Sequence, residues 1–191
     1  MNDAFMSLKV IFFIICQKMK INNNFLMLII FCIPIIMQAQ ENNTKSAREG
    51  FKLVLAVDEK TSYESEIEPS PFITGQNILQ LYPGEDIFLE IDQKDGIILN
   101  MRVVKKNVNL DKTLEISFKQ DIDKNQHKAM ILQIKNPFKM TLKYSAKMLL
   151  LKDSKWVDTD VMPVREKLSS FETWPDIIIS LALDDWKFNK E

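Results

Sequence analysis

His127 is the one histidine in the chain, so serine, cysteine or metal chemistry built on an imidazole would have to use it. Its neighbours Asn125, Gln126 and Lys128 are hairpin-loop residues, and no G-x-S-x-G elbow supplies a nucleophile. A solvated loop position is therefore expected for it. Two acidic pairs, Asp158 with Asp160 and Asp184 with Asp185, could meet in space around calcium, which takes about six to eight oxygen ligands. Neither pair has the spacing of a calcium loop, and solvated strand ends are the expected reading.

Glu90 and Asp92 project from one side if the run Phe88-Leu89-Glu90-Ile91-Asp92 is a strand. The Glu90-Ile91-Asp92 step resembles the start of the laminarinase-type glycoside hydrolase motif, and the resemblance implies paired-carboxylate chemistry on a β-sandwich. That motif requires a second glutamate shortly afterwards, whereas Gln93, Lys94 and Asp95 stand here and lead into a turn. Without the acid that protonates the leaving group, an ordinary strand with a polar outward face is expected.

Trp156, Trp174 and Trp186 are candidates for a platform on which sugar rings stack, with plugging of the core as the competing role. Trp174-Pro175-Asp176 has the composition of a structural corner. Arg165, the last arginine in the chain, could fix a carboxylate ligand or pair with Glu166 or Glu172. These four residues are the candidate ligand contacts, and no catalytic, cofactor-binding or metal-ligating residue is assigned. Met101, Met130, Met140, Met148 and Met162 fall mainly on inward faces, so they are expected to fill gaps and not to bind copper.

The elements that position these residues follow a leader. Residues 25–37 read FLMLIIFCIPIIM behind Lys18 and Lys20, and a short basic region before a short apolar core is the pattern of a secretory signal. The run is shorter than the roughly 20 apolar residues of a membrane span and contains Pro34. Cleavage is expected near Ala39, with translation starting at Met19, so residues 1–39 form a leader with a signal-peptide helix. Cys32 follows Phe31, which does not suit a lipid-modified cysteine.

Residues 40–191 then make up a 152-residue mature chain without cysteine, large enough for one domain with a real core. It carries 22 basic and 25 acidic residues, and this mildly acidic, mixed charge argues against nucleic acid or anionic membranes as partners.

Alternation with a period of two dominates. In 139–151, Met140, Leu142, Tyr144, Ala146, Met148 and Leu150 alternate with lysine, serine and threonine. Residues 114–119 and 130–135 repeat the pattern on either side of the polar stretch 120–128, as neighbouring antiparallel strands would. Residues 51–57, 87–91 and 97–104 read as strands, the last after the turn signal Asp95-Gly96. Residues 177–183 are apolar at most positions, which suits a central strand covered on both sides, and a shorter piece around Trp156 and Val157 is expected between it and the long strand. Residues 40–50 are expected to be a flexible polar start, and 61–74 and 163–175 to be long loops.

Short strands at spacings of about ten residues resemble an immunoglobulin-like or jelly-roll antiparallel β-sandwich, an all-β fold that sets no function by itself. The expectation is a single sandwich domain over 51–191, exported to the periplasm, cell surface or exterior, that needs no cofactor and binds an envelope protein or a glycan. The opposing classes are a small carboxylate hydrolase of the envelope, which a concave face gathering Glu90 and Asp92 would favour, and an envelope subunit that pairs strands at an open edge. An exposed, unprotected edge strand would favour the last, and lysine-lined edges would speak against it.

Overall fold

The computed structural model describes residues 47–189, and among these every regular element is a strand. The leader read over residues 1–39 lies outside the described residues. In chain order the strands are β1 (Ala47–Arg48), β2 (Phe51–Ala56), β3 (Ser62–Ile67), β4 (Ser70–Pro71), β5 (Ile73–Thr74), β6 (Ile78–Leu81) and β7 (Glu85–Lys94). They continue as β8 (Ile97–Val104), β9 (Thr113–Asp123), β10 (Gln126–Lys135), β11 (Thr141–Leu150), β12 (Lys155–Thr159), β13 (Ser169–Trp174) and β14 (Ile178–Asn189).

Two five-stranded antiparallel sheets result, ordered β13–β10–β9–β7–β8 and β12–β11–β14–β6–β5. The inward positions of both sheets enter one core. Ile87, Leu89, Leu114, Ile116, Phe118, Met130, Leu132 and Ile134 from the first meet Leu79, Leu81, Leu142, Ala146, Met148, Leu181 and Leu183 from the second. Each fully buried aliphatic side chain contributes about 1.5–3 kcal/mol, which is why the alternating residues determine which face of each strand turns inward. The fold is all-β and sandwich-like.

The turns behave as their residues require. Lys124 and Asn125 both have positive φ, giving a two-residue β9–β10 hairpin, so the strands run through most of the polar stretch expected to join them. At the β7–β8 hairpin Asp95 and Gly96 do the same. A Cβ on Gly96 would lie 2.5 Å from the Phe188 carbonyl oxygen, so only glycine lets this hairpin pack against β14.

The strands read over 51–57, 87–91 and 97–104 are found, the first ending at Ala56, and 177–183 lies largely in β14, which pairs with β11 and β6. Its outward Ile179 is covered by a second apolar cluster in which Leu53 and Leu55 of the β2–β3 ribbon pack beside Leu149, Leu151, Ile177 and Tyr82. The strand is thus covered on both sides. The Trp156 piece, β12, lies at the sheet edge beside β11, so it is β11 that stands between it and β14.

Three expectations are corrected. The loop read over 61–74 holds β3, β4 and β5, with Pro71 tolerated on a two-residue edge strand paired to β1. The loop read over 163–175 holds β13, which pairs with β10 through six residues from Met130↔Trp174 to Lys135↔Ser169. Of the polar start read over 40–50, residues 47–50 are described, and they contain β1, whose Arg48 is buried.

Candidate functional site

The structure disperses the candidate ligand contacts. Trp174 is buried at the end of β13 and donates its indole N–H to Thr159 Oγ1 at 2.9 Å. Trp186 is buried on β14, stacks on Tyr144 with centroids 5.6 Å apart, and donates to the Asn77 carbonyl at 3.0 Å. Both are core side chains with satisfied polar tips, as buried indoles require. Trp156, on the outer face of β12, is exposed, so no three-tryptophan platform forms. Arg165 is exposed, and among the described residues its guanidinium makes no ion pair with Glu166 or Glu172. The Glu172 carboxylate instead accepts the Met162 N–H at 2.6 Å. Four of the five methionines are buried, while Met162 is exposed.

Glu90 and Asp92 do share the outward side of β7, and both carboxylates are already engaged. Arg102 of β8 reaches both, Asn109 donates to Glu90 at 2.8 Å and Lys112 to Asp92 at 3.0 Å. The hydrogen bond and charge of Lys112 hold the Asp92 carboxyl below its usual range. That is the wrong direction for a group meant to protonate a leaving group, whose pKa must rise.

His127 corrects the expected solvated loop residue. It lies at the start of β10, half-buried, with Nδ1 2.9 Å from the Gln120 amide nitrogen and Nε2 3.0 Å from the Pro175 carbonyl. Gln120 as donor requires the proton on Nε2, which then donates to Pro175. The ring therefore ties the β9–β10 hairpin to the β13–β14 connection. Asp158 faces Lys147 at 3.5 Å and Asp185 faces Lys187 at 2.9 Å. Among the described residues no three histidine, aspartate or glutamate side chains are grouped to share a metal ion.

One densely connected polar group was not legible in the sequence. Arg48 donates to both carboxylate oxygens of Glu85, through Nε and through Nη2 at 3.0 Å, to Ser70 Oγ at 3.1 Å and to the Gln80 carbonyl at 2.8 Å. Its guanidinium lies over the rings of Phe72 at 4.4 Å and Tyr82 at 4.8 Å. Four of the five N–H donors are thus used and the guanidinium is covered by two rings, so its role is to pin β1 and not to receive a ligand.

What remains open is backbone. Among the described residues β8 is an eight-residue edge strand paired only with β7, without lysine, and with Ile97 and Leu99 exposed at its start. Natural sheets protect such an edge with charge, proline or a covering segment. Here Arg102 is the one charge on the strand, and it is turned to Glu90 and Asp92.

Comparison with known proteins finds no matching family model, no similar curated protein and no similar solved structure.

Proposed function

We propose that this chain is an exported, non-catalytic module with a sandwich of the immunoglobulin-like or jelly-roll kind that binds a protein of the cell envelope by pairing a partner strand along β8. The observation carrying the reading is the unprotected β8 edge, because free N–H and C=O groups beside exposed Ile97 and Leu99 supply both the affinity and the register of strand addition. The leader pattern around Lys18, Lys20 and residues 25–37 supports export. The dispersal of the tryptophans speaks for protein over glycan, and the engagement of Glu90 and Asp92 speaks against a carboxylate hydrolase.

A photo-cross-linking residue at Leu99 in the cell-expressed protein tests this. An envelope protein trapped from Leu99, lost on Ile97→Lys and not trapped from exposed Lys143, is the expected result, with the chain in the envelope or medium fraction. Retention on a glycan column that Trp156→Ala abolishes, without any trapped protein, would refute it.

A further inference from the structure

The β2–β3 ribbon carries a second open edge, and the bonding around it fixes which backbone groups are free. Val57 N–H donates to the Thr61 carbonyl at 3.0 Å, so alternation in an antiparallel pair turns the peptide groups of Leu55, Leu53 and Phe51 toward β3. Those of Ala56, Val54 and Lys52 then point the other way. Ala56 demonstrates it: its N–H donates to Gln120 Oε1 at 2.9 Å and its carbonyl accepts from Gln120 Nε2 at 2.8 Å. The Gln120 amide thus makes the pair of bonds that a neighbouring strand would make.

Val54 and Lys52 have the same orientation and, among the described residues, nothing to bond. Their edge looks into two depressions that meet at Val54. One of about 390 Å³ lies between β2 and the turn Pro83-Gly84-Glu85, and one of about 370 Å³ extends toward Ile122 and Asn125. The surroundings define the chemistry of an occupant. An added strand would turn alternate side chains toward Leu53 and Phe51, which pack in the outer apolar cluster. The other side chains would lie on the face of Val54 and Lys52, beyond which stand Glu64, ion-paired with Lys52 at 2.6 Å, and Glu66, which among the described residues makes no ion pair. Residues 51–68 contain Lys52 and Lys60 against Asp58, Glu59, Glu64, Glu66 and Glu68, a net charge of −3.

We propose that this groove binds an extended peptide segment of a partner protein, with apolar and basic side chains alternating, which hydrogen-bonds to the Val54 and Lys52 backbone and ends against the Gln120 amide. The site stands on its own observations and does not depend on β8.

The test uses the exported chain purified from cells, a fluorescein-labelled ten-residue peptide alternating valine and lysine, and a counterpart alternating valine and glutamate. The basic peptide should bind saturably and at least about tenfold more tightly than the acidic one. Amide exchange should slow at Val54 and Lys52 on binding and stay unchanged at Leu53 and Leu55, a readout that needs no variant. Val54→Pro removes a groove-facing N–H without touching the β2–β3 ladder and should weaken binding by about fivefold, whereas Leu99→Lys should leave it intact. Absence of saturable binding, equal binding of the two peptides, or loss of binding on Leu99→Lys alone would each overturn the proposal. So would protection of Val54 and Lys52 in the free chain, which would mean that the groove is already filled.

Discussion

Replacing Arg48 by methionine should destabilise the domain by about 3–5 kcal/mol, the range for removing one partner of a buried ion pair. The side chains of Arg48 and Glu85 are only 3% and 13% exposed, so water reaches neither well enough to replace the lost bonds. Methionine keeps the volume and the apolar contact with Phe72 and Tyr82. What is lost is the charge and the bonds to Glu85, Ser70 and the Gln80 carbonyl. Glu85 would keep the Tyr82 N–H, at 2.8 Å, as one donor to a carboxylate that has lost its cation. Most of the cost therefore sits in the abandoned glutamate, and Glu85→Gln in the Arg48→Met background should recover at least about 2 kcal/mol, since the glutamine carbonyl can still accept from Tyr82.

Urea unfolding followed by circular dichroism on the two single variants and the double variant gives the coupling energy directly, provided the slope against urea is unchanged. At about 2–4 °C per kcal/mol for a domain of this size, the melting temperature of Arg48→Met should fall by about 10 °C. A loss below about 1 kcal/mol, or a double variant as unstable as the sum of the singles, would refute the reasoning that β1 is held by this pair.

Burial, with a smaller push from the Glu172 charge, raises the Tyr144 phenol far above its usual value against a weak opposing contact from Ser170, and among the described residues its hydroxyl makes no hydrogen bond of ordinary geometry. Because the folded pKa exceeds the unfolded one, the domain should lose stability as pH climbs past about 10, where only the unfolded phenol ionises. Tyr144→Phe should remove that portion of the alkaline loss and match or exceed the parent at neutral pH, as urea midpoints across the range would reveal. Among the tryptophans, Trp186→Ala should cost about 3–5 kcal/mol and Trp156→Ala less than about 1 kcal/mol, and acrylamide should quench only the Trp156 fluorescence readily. Equal quenching of all three would contradict the burial of Trp174 and Trp186.

The strands were legible wherever inward and outward residues differ sharply in polarity. β11 is the clearest case, with Leu142, Tyr144, Ala146, Met148 and Leu150 buried and the lysines between them exposed. Alternation fails in two instructive places. β14 carries a bulge at Asp185, where φ is positive, so the inward set switches from Leu181 and Leu183 to Trp186 and Phe188. A reading by parity stops at Leu183, although the strand runs to Asn189. β13 inverts the code, with Ser170 and Glu172 on the inner side and Phe171 63% exposed, so its alternation of polarity does not mark it as a strand. β3 fails more mildly, since Tyr63, Ser65 and Ile67 are only half-buried on a two-stranded ribbon.

The sites were less legible for a deeper reason. Searching a sequence for function means searching for side chains, and here the chemically able ones are consumed by structure. His127 joins a hairpin to a loop, Glu90 and Asp92 are held by Arg102, and two tryptophans serve the core. The groups left open on β8 and β2 are peptide N–H and C=O, which every residue but proline carries alike. Whether a given peptide is paired depends on strand order, and strand order is set by contacts between residues far apart in the chain. β7 and β8 read equally well as strands, yet β7 lies between two neighbours and β8 has one. Gln120 leaves a side-chain trace of such an edge, by taking the place of a strand beside Ala56, and a glutamine in a hydrophilic hairpin gives no sign of that in sequence.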